Sequence, residues 1–235
     1  MNVLSVNNIS KKYKNKEILN RVSFKIDEGE VVGLIGPNGA GKSSIMKIIS
    51  NIVIPDDGEV RICDISVKED RNKYLSYFSS VIENPSLYEN LSGYDNLNFI
   101  RKINKKSKKE FQEVLEFIGI KENINNKVKT YSLGMKQRLN LGIALIAEPK
   151  LLILDEPTNG FDVSATNELK KLIKFLAQSK KISILISSHI LSDLDKVCTR
   201  KIFINNGKLV LNNVIEKNKD LQKIILSVED IKISN

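Results

Sequence analysis

One glycine-rich segment restricts the possible folds of this chain more than any other part of its sequence. Residues 36–43 read GPNGAGKS and fit the pattern G-x-x-x-x-G-K-[ST]. A short, mostly apolar run at 30–35 precedes this glycine loop, and residues 42–52 after it carry apolar side chains at helical spacing. The order of strand, loop and helix predicts an α/β domain whose loop presents backbone N–H groups to phosphate.

The residue types in the glycine loop suit phosphate binding. Glycine lets the backbone approach an anion closely, and the start of the following helix carries a partial positive charge. Lys42 supplies a full positive charge for the β- and γ-phosphates, while the Ser43 hydroxyl can ligate Mg²⁺. The predicted ATP-binding residues here are Gly36, Pro37, Asn38, Gly39, Ala40, Gly41, Lys42, Ser43 and Ser44.

Two acidic residues follow a second apolar run. Residues 151–154 are Leu-Leu-Ile-Leu, which is typical of a buried parallel strand, and Asp155 and Glu156 come directly after it. Because α/β proteins bind ligands at the carboxyl edge of the sheet, we predict that Asp155 holds Mg²⁺. Glu156 is then placed to orient and deprotonate the attacking water. The alternative is that the acidic pair simply ends the strand.

His189 is the only histidine of the chain and follows a third apolar run at 182–186. A lone histidine is more often a structural or surface residue than a catalytic one. Its position after a further core strand, downstream of the two acids, favours a functional role.

The remaining patterns predict a β-rich beginning and an inserted helical lobe. Val22, Phe24 and Ile26 alternate with polar residues as in a half-buried strand. Apolar residues between 94 and 129 are spaced as in helices, with lysine-rich connections. We therefore predict one domain, 1–235, with a core lobe of 1–93 and 130–235 and a helical lobe of about 94–129.

Further elements are predicted from local signals. Ser132 suits the N-cap of a helix at 132–147, and Asn206-Gly207 is a strong hairpin signal within 202–211. Additional strands are expected at 59–65 and 77–82, and an amphipathic helix is expected at 164–180.

Composition limits the partners of the chain. The net charge of +9 reflects either the base composition of the gene or a basic surface, and both explanations stay open. Cys63 and Cys198 show neither metal-site nor disulfide spacing. The beginning does not read as a signal peptide, and the longest charge-free stretch, 182–192, is shorter than the about 20 residues of a membrane span. Any membrane function is therefore expected to come through a partner chain.

The order of these motifs resembles the nucleotide-binding domain of ABC-family ATPases over nearly the whole chain. In that family the glycine loop is Walker A, residues 151–155 are Walker B, and Glu156 is the catalytic glutamate. The resemblance implies an α/β fold: a P-loop NTPase core of mixed sheet with an N-terminal antiparallel β subdomain and an inserted α-helical subdomain. It also implies ATP and Mg²⁺ as substrate and cofactor.

Three further residues take family roles by this resemblance. His189 matches the switch histidine expected to contact the γ-phosphate, and Tyr13 matches the aromatic residue that stacks on adenine. Residues 159–162 are similar to the D-loop, which assigns Asp162 to that motif.

Two motifs depart from the usual family pattern. Residues 131–138 resemble the ABC signature, with the core Ser132, Leu133, Gly134 and Met135. Met135 replaces the usual glutamine of that signature. In the family this helix end faces ATP held by a second subunit, which implies a head-to-tail dimer, here a homodimer.

Glu83 occupies the place of the Q-loop glutamine. It is predicted to act as a metal-dependent sensor that links the ATP site to a membrane subunit. Together with the altered signature, Glu83 resembles the ATPases of bacitracin-resistance and lantibiotic self-protection exporters.

The resemblance therefore implies the ATP-hydrolysing subunit of a bacterial exporter. It would lie in the cytoplasm on the inner face of the membrane, beside a separate transmembrane permease, and drive export of a peptide antibiotic or similar amphiphile. The alternative is an ABC-type ATPase acting on nucleic acid or ribosomes. No direct nucleic-acid partner is expected, because the chain has no heptad array and only one cassette.

Overall fold

Ten strands and six α-helices make up the described part of the chain, which comprises residues 1–82, 87–159, 161, 163–189 and 197–214. The strands are Asn2–Tyr13 (β1), Lys16–Asp27 (β2), Val31–Ile35 (β3), Asp57–Ile62 (β4), Ile65–Ser66 (β5), Phe78–Val81 (β6), Leu151–Leu154 (β7), Ser183–Ser188 (β8), Arg200–Asn205 (β9) and Lys208–Val214 (β10). The helices of this computed structural model are Lys42–Ile49 (α1), Arg71–Ser76 (α2), Gly93–Ile103 (α3), Lys108–Ile118 (α4), Leu133–Ile146 (α5) and Val163–Ser179 (α6), with short 3₁₀ turns at Lys121–Asn123 and Val128–Thr130.

The central sheet is mixed and has six strands in the order β10-β9-β3-β8-β7-β6. The five strands from β9 to β6 are parallel, and β10 adds an antiparallel edge. β3, β7 and β8 are buried along their whole length, as their apolar runs predict for strands covered on both faces. This sheet confirms the predicted α/β class and places the end of β3 next to the end of β8.

A second, antiparallel sheet is formed near the beginning of the chain, in the order β2-β1-β4-β5. Its inward side chains include Val22, Phe24 and Ile26, each at most 4% exposed, which confirms the predicted alternation. They share one core cluster with α1 and with the central sheet. α1 therefore packs against both sheets.

The helical lobe surrounds an apolar core of its own. Leu97 of α3 and Ile118 of α4 are nearly fully buried there, together with Leu139 of α5. The far half of α5 instead packs on the central sheet, since Leu141 and Leu145 share a cluster with β7 and β8. α5 thus links the helical lobe to the central sheet.

Two local predictions are wrong. The strand expected at 59–65 is two strands, because Cys63 and Asp64 turn the chain with φ of 48° and 61°. The helix expected to reach residue 52 ends at Ile49, and Ile52 is 64% exposed.

Among the described residues, none of the helices is both long and apolar enough to span a bilayer.

Candidate nucleotide-binding site

The ends of three parallel strands bring the predicted site together. Gly36 follows β3, Asp155 and Glu156 follow β7, and His189 follows β8. The Gly36 N–H donates to the Ser188 carbonyl at 3.4 Å, which ties the end of β3 to the end of β8, and the Asp155 N–H donates to the Val81 carbonyl of β6 at 2.9 Å. The carboxyl edge predicted from the sequence is therefore the place where these residues meet.

The glycine loop needs glycine at two positions for steric reasons. A Cβ on Gly36 would lie 2.2 Å from the Ile204 carbonyl oxygen. Gly41, the N-cap of α1, has φ of 111°, and a Cβ there would lie 2.7 Å from the Leu19 side chain. Both conditions exclude other residue types without movement of the neighbouring strands.

The tip of the β9–β10 hairpin supports the glycine loop from outside. The Gly207 N–H donates to the Ala40 carbonyl at 3.0 Å, and the Asn20 N–H donates to the Gly207 carbonyl at 2.9 Å. Asn206 and Gly207 have positive φ, as a two-residue hairpin turn requires. The sequence predicts this hairpin but gives no sign that its tip touches the glycine loop.

Lys42 is buried inside the loop, with only 6% of its surface exposed. Its Nζ donates to the carbonyl oxygens of Gly36 at 2.7 Å and Pro37 at 3.2 Å. The same atom lies 3.3 Å from Glu156 Oε1. A buried cation requires such partners, and a phosphate bound in the loop would compete with Glu156 for this ammonium group.

Glu156 connects the lysine to the histidine. Its second carboxylate oxygen, Oε2, lies 2.5 Å from His189 Nδ1. The side chain of Glu156 is 18% exposed and that of His189 is 36% exposed, so solvent reaches this pair at one side. Glu156 also has φ of 48°, a left-handed conformation that is uncommon outside glycine. A carboxylate held in this way is suited to orient a water molecule and accept its proton.

Asp155 and Ser43 provide oxygen donors that suit Mg²⁺. Asp155 Oδ1 accepts a hydrogen bond from the Ser187 hydroxyl at 2.6 Å, and Ser43 stands half-buried in the first turn of α1. No group of three or more His, Cys, Asp or Glu residues that could hold a metal occurs in the described ranges. Mg²⁺ is usually held by one or two protein oxygens together with substrate phosphates and waters, so the donor set fits that ion.

Ser187 is a site residue that the motif patterns did not single out. It is fully buried in β8, donates to Asp155 Oδ1 and accepts from the Glu156 N–H at 2.7 Å. The only signal in the sequence is a hydroxyl residue directly after a buried apolar run.

The signature residues lie at the beginning of α5. The Ser132 hydroxyl caps this helix by accepting from the Met135 N–H at 3.3 Å, which confirms the predicted N-cap. Leu133 is 50% exposed, and a Cβ on Gly134 would meet nothing within 4 Å. The N-terminal end of α5 is therefore open and carries a partial positive charge.

Two cavities adjoin this helix end. The larger, of about 780 Å³, is lined by Asp155 and Glu156 as well as by Leu133 and Gly134. The smaller, of about 460 Å³, includes Ser132 and Met135 in its wall. Within the described part of the chain, neither wall contains a residue of the glycine loop. Leu133 and Gly134 therefore share a cavity with the two acids that follow β7.

One further predicted residue, Tyr13, is not joined to this cluster by a contact among the described residues. Tyr13 ends β1 with 45% of its surface exposed, and Lys11 Nζ lies 5.6 Å from its ring centroid. Among the described residues, no hydrogen bond or ring contact joins Tyr13 to the glycine loop. Glu83 and Asp162 lie outside the described residues.

Comparison with known proteins gives a consistent assignment. The ABC transporter family model matches residues 19–159. The ABC transporter ATP-binding protein YhcH of Bacillus subtilis is 40% identical over 93% of this chain and 72% of its own length. The lantibiotic transport ATP-binding protein SrtF of Streptococcus pyogenes is 40% identical over 94% of this chain and 95% of its own.

Two further matches extend over nearly the whole chain. The bacitracin transport ATP-binding protein BcrA of Enterococcus faecalis is 35% identical over 99% of this chain and 76% of its own length. A solved structure of an ATP-binding subunit of an ABC transporter superposes with a TM-score of 0.84 at 27% identity, covering 99% of this chain and all of that one. These matches confirm the resemblance seen in the motifs, and they do not favour the alternative of an ATPase for nucleic acid or ribosomes. The chain belongs to the ATP-binding subunits of the ABC transporter family, which hydrolyse ATP.

Proposed function

We propose that this chain powers a bacterial exporter that removes a peptide antibiotic, such as a lantibiotic or bacitracin, or a similar amphiphile. The observation that carries the proposal is the similarity to SrtF and BcrA, whose names assign them to lantibiotic and bacitracin transport. Each match spans at least 94% of this chain, so the similarity extends beyond the short ATP-binding motifs.

The ATP phosphates bind in the glycine loop with Lys42 as their main cation. Because Lys42 Nζ contacts Glu156 at 3.3 Å in this structure, an incoming γ-phosphate takes over that contact. Glu156 is then free to turn toward the attacking water. His189 keeps the Glu156 carboxylate oriented, because its Nδ1 lies 2.5 Å from Glu156 Oε2. Binding of the substrate thereby prepares the general base. Tyr13, with its exposed ring, is assigned to stacking on adenine.

Mg²⁺ would be held by Asp155 and Ser43, with Glu83 as a further contact. When bound, the ion neutralises phosphate charge and makes the γ-phosphorus more reactive. Glu83 has the additional proposed role of passing the state of the site to the membrane subunit, and it acts as a sensor, not as the base.

A second copy of the chain would complete each ATP site. Ser132, Leu133, Gly134 and Met135 surround the open N-terminal end of α5, which suits a phosphate held by a partner's glycine loop. Asp162 would lie in the same dimer interface. The homodimer closes on ATP and reopens after hydrolysis, because the two states bind nucleotide differently.

The membrane partner would be a separate permease, with this chain on the inner face of the membrane. Exposed apolar side chains cluster along α3 and the segment before it, with Tyr88 56%, Phe99 48% and Ile103 61% exposed. Tyr88 and Phe99 meet edge to face at 5.9 Å, so they form one continuous patch. Such a patch supports a protein partner at this surface.

Deletion and complementation in the source bacterium test this function. Loss of the chain should lower the concentration of bacitracin or of a lantibiotic that stops growth, and the wild-type chain should restore tolerance. Lys42→Ala should not restore it, because the transporter then lacks its energy source. Unchanged tolerance after deletion, with the tagged chain recovered on ribosomes and not in membranes, would contradict the proposal.

A further inference from the structure

We propose that Ser187 is a positioning residue for ATP hydrolysis, which aligns the metal-binding acid and the general base through one hydroxyl group. The inference rests on the proposed roles of Asp155 and Glu156.

The hydrogen bonds of Ser187 have a fixed direction. A backbone N–H can only donate, so the Ser187 oxygen must accept from Glu156, at 2.7 Å. The single hydroxyl proton then goes to Asp155 Oδ1, at 2.6 Å. Ser187 is fully buried, and these two contacts use its proton and one of its lone pairs. The hydroxyl therefore fixes the rotation of the Asp155 carboxylate and leaves Oδ2 for another partner.

The same hydroxyl stabilises the unusual backbone of Glu156. A non-glycine residue at φ of 48° persists only when its surroundings hold it there. The bond from the Glu156 N–H to Ser187 is such a restraint. This backbone conformation directs the side chain to Lys42 and His189, so Ser187 acts on the general base through the main chain.

Loss of the hydroxyl should affect the two acids together and spare phosphate binding. The glycine loop is held by backbone hydrogen bonds, from the Gly207 N–H to the Ala40 carbonyl and from the Gly36 N–H to the Ser188 carbonyl, and neither uses the Ser187 side chain. Nucleotide should therefore still bind without metal, whereas binding of the metal to that nucleotide complex should weaken.

Ser183 offers a matched control at the other end of β8. It is also fully buried, and its hydroxyl donates to the Asp27 carbonyl at 3.0 Å and accepts from the Gly29 N–H at 3.1 Å. Ser183→Ala therefore removes one donated and one accepted hydrogen bond from the same strand, as Ser187→Ala does, but at the other end of β8.

The experiment compares Ser187→Ala, Ser187→Thr and Ser183→Ala in the full chain. Mn²⁺ binding is titrated by electron paramagnetic resonance with AMP-PNP bound, nucleotide binding is measured in EDTA, and ATPase is measured with Mg²⁺. Ser187→Ala should raise the Mn²⁺ dissociation constant and lower kcat, each by about 10–100-fold, as for other residues that orient metal ligands. Its nucleotide affinity in EDTA should stay within about threefold. Ser187→Thr, which keeps the hydroxyl, and Ser183→Ala should both bind Mn²⁺ within about threefold of wild type.

Three results decide the matter. Wild-type Mn²⁺ affinity in Ser187→Ala would overturn the proposal, and so would an equal loss in Ser183→Ala, which would indicate general loosening of β8. If Ser187→Ala impairs folding, Ser187→Cys takes its place, because the thiol fills the space but is only a weak hydrogen-bond donor. Ser187→Cys should also bind Mn²⁺ weakly, and wild-type Mn²⁺ affinity in this variant would again overturn the proposal. Absence of any ATPase in wild type would contradict the proposed function instead, while the Mn²⁺ titration still tests Ser187.

Discussion

Lys42 carries a full positive charge where only 6% of its surface is exposed, and the nearby acid, not solvent, balances that charge. The same Glu156 carboxylate meets His189 at its other oxygen. Three residues predicted separately from the sequence thus form one network in this structure. In the roles proposed for these residues, the substrate phosphate and the general base would share the Lys42 ammonium group, so a change in Lys42 or in Glu156 should alter the behaviour of the other.

Lys42→Ala should weaken ATP binding by about 10–100-fold and abolish turnover, because hydrogen bonds to a charged group contribute about 1.5–3 kcal/mol. Direct binding of a fluorescent ATP analogue measures the first effect, and phosphate release measures the second. Lys47→Ala removes a lysine from the last turn of the same helix and should leave both within about twofold. Unchanged ATP affinity in Lys42→Ala would refute the assignment of the glycine loop.

At the scale of elements, the start of α5 carries the dimer proposal. Ser132→Arg should leave ATP binding by one chain intact but block the approach of a partner's nucleotide. In a Glu156→Gln background, size-exclusion chromatography with ATP should then show monomers. Ser107→Arg is the control, because the Ser107 side chain caps α4 through the same type of hydrogen bond. Loss of either cap should lower the free energy of unfolding by about 1 kcal/mol. ATP-driven dimers in the Ser132→Arg protein would contradict a role for α5 across the interface.

The end of α1 depends on a tyrosine from α2. The buried Tyr74 hydroxyl donates to the carbonyl of Ile49, the last residue of α1, at 2.6 Å. Tyr74→Phe removes that donor and should lower the free energy of unfolding by about 1–2 kcal/mol, with ATP binding unchanged. Urea unfolding followed by circular dichroism measures the difference. An equally stable phenylalanine variant would show that the bond contributes nothing.

The same tyrosine predicts a dependence on alkaline pH. Burial raises the pKa of Tyr74 above its ordinary value of 10.0. The folded state therefore keeps the phenol proton longer than the unfolded state, and the stability from this group is present below pH 10 and lost as pH rises above it. In urea titrations above that pH, the advantage of wild type over Tyr74→Phe should shrink. A constant advantage would contradict this account.

Elements with strong local signals were the ones that could be predicted from sequence. The run at 151–154 is apolar throughout, as expected of a strand buried on both faces. The Asn206-Gly207 turn contains the two residue types that tolerate the positive φ of a two-residue hairpin turn. The turn at Cys63 and Asp64 could not be predicted, because aspartate is common at positive φ but cysteine is not. A contact from a distant segment also holds this turn, since the Cys63 N–H donates to the Val3 carbonyl of β1 at 2.9 Å. The end of α1 differs from the predicted one because Ile52 matches the helical spacing in the sequence but lies exposed beyond the helix.

At the scale of the whole molecule, the candidate site could be predicted because its residues follow strands of one parallel sheet. Short apolar runs in the sequence indicate where these strands end. In a parallel sheet the carboxyl ends of the strands lie along one edge, so the residues that follow them meet there. Contacts between distant segments could not be predicted in this way. The support of Ala40 by Gly207 and the bonds from Ser187 to both acids join residues that are more than 30 positions apart.

Hydrolysis by Glu156→Gln, measured beside ATP binding, tests the assignment of this site most directly. The amide keeps the shape of the side chain but cannot accept the proton of water, so hydrolysis should fall at least about a hundredfold. ATP binding should be retained, because the substitution removes the negative charge of Glu156 that pairs with Lys42 in this structure. Lys42 then stays available for the ATP phosphates. Glu148→Gln is the control: Glu148 also has a positive φ, of 51°, and pairs with a lysine, Lys106, away from the site. The account predicts a variant that binds ATP without hydrolysing it, and hydrolysis by Glu156→Gln at near the wild-type rate would contradict it.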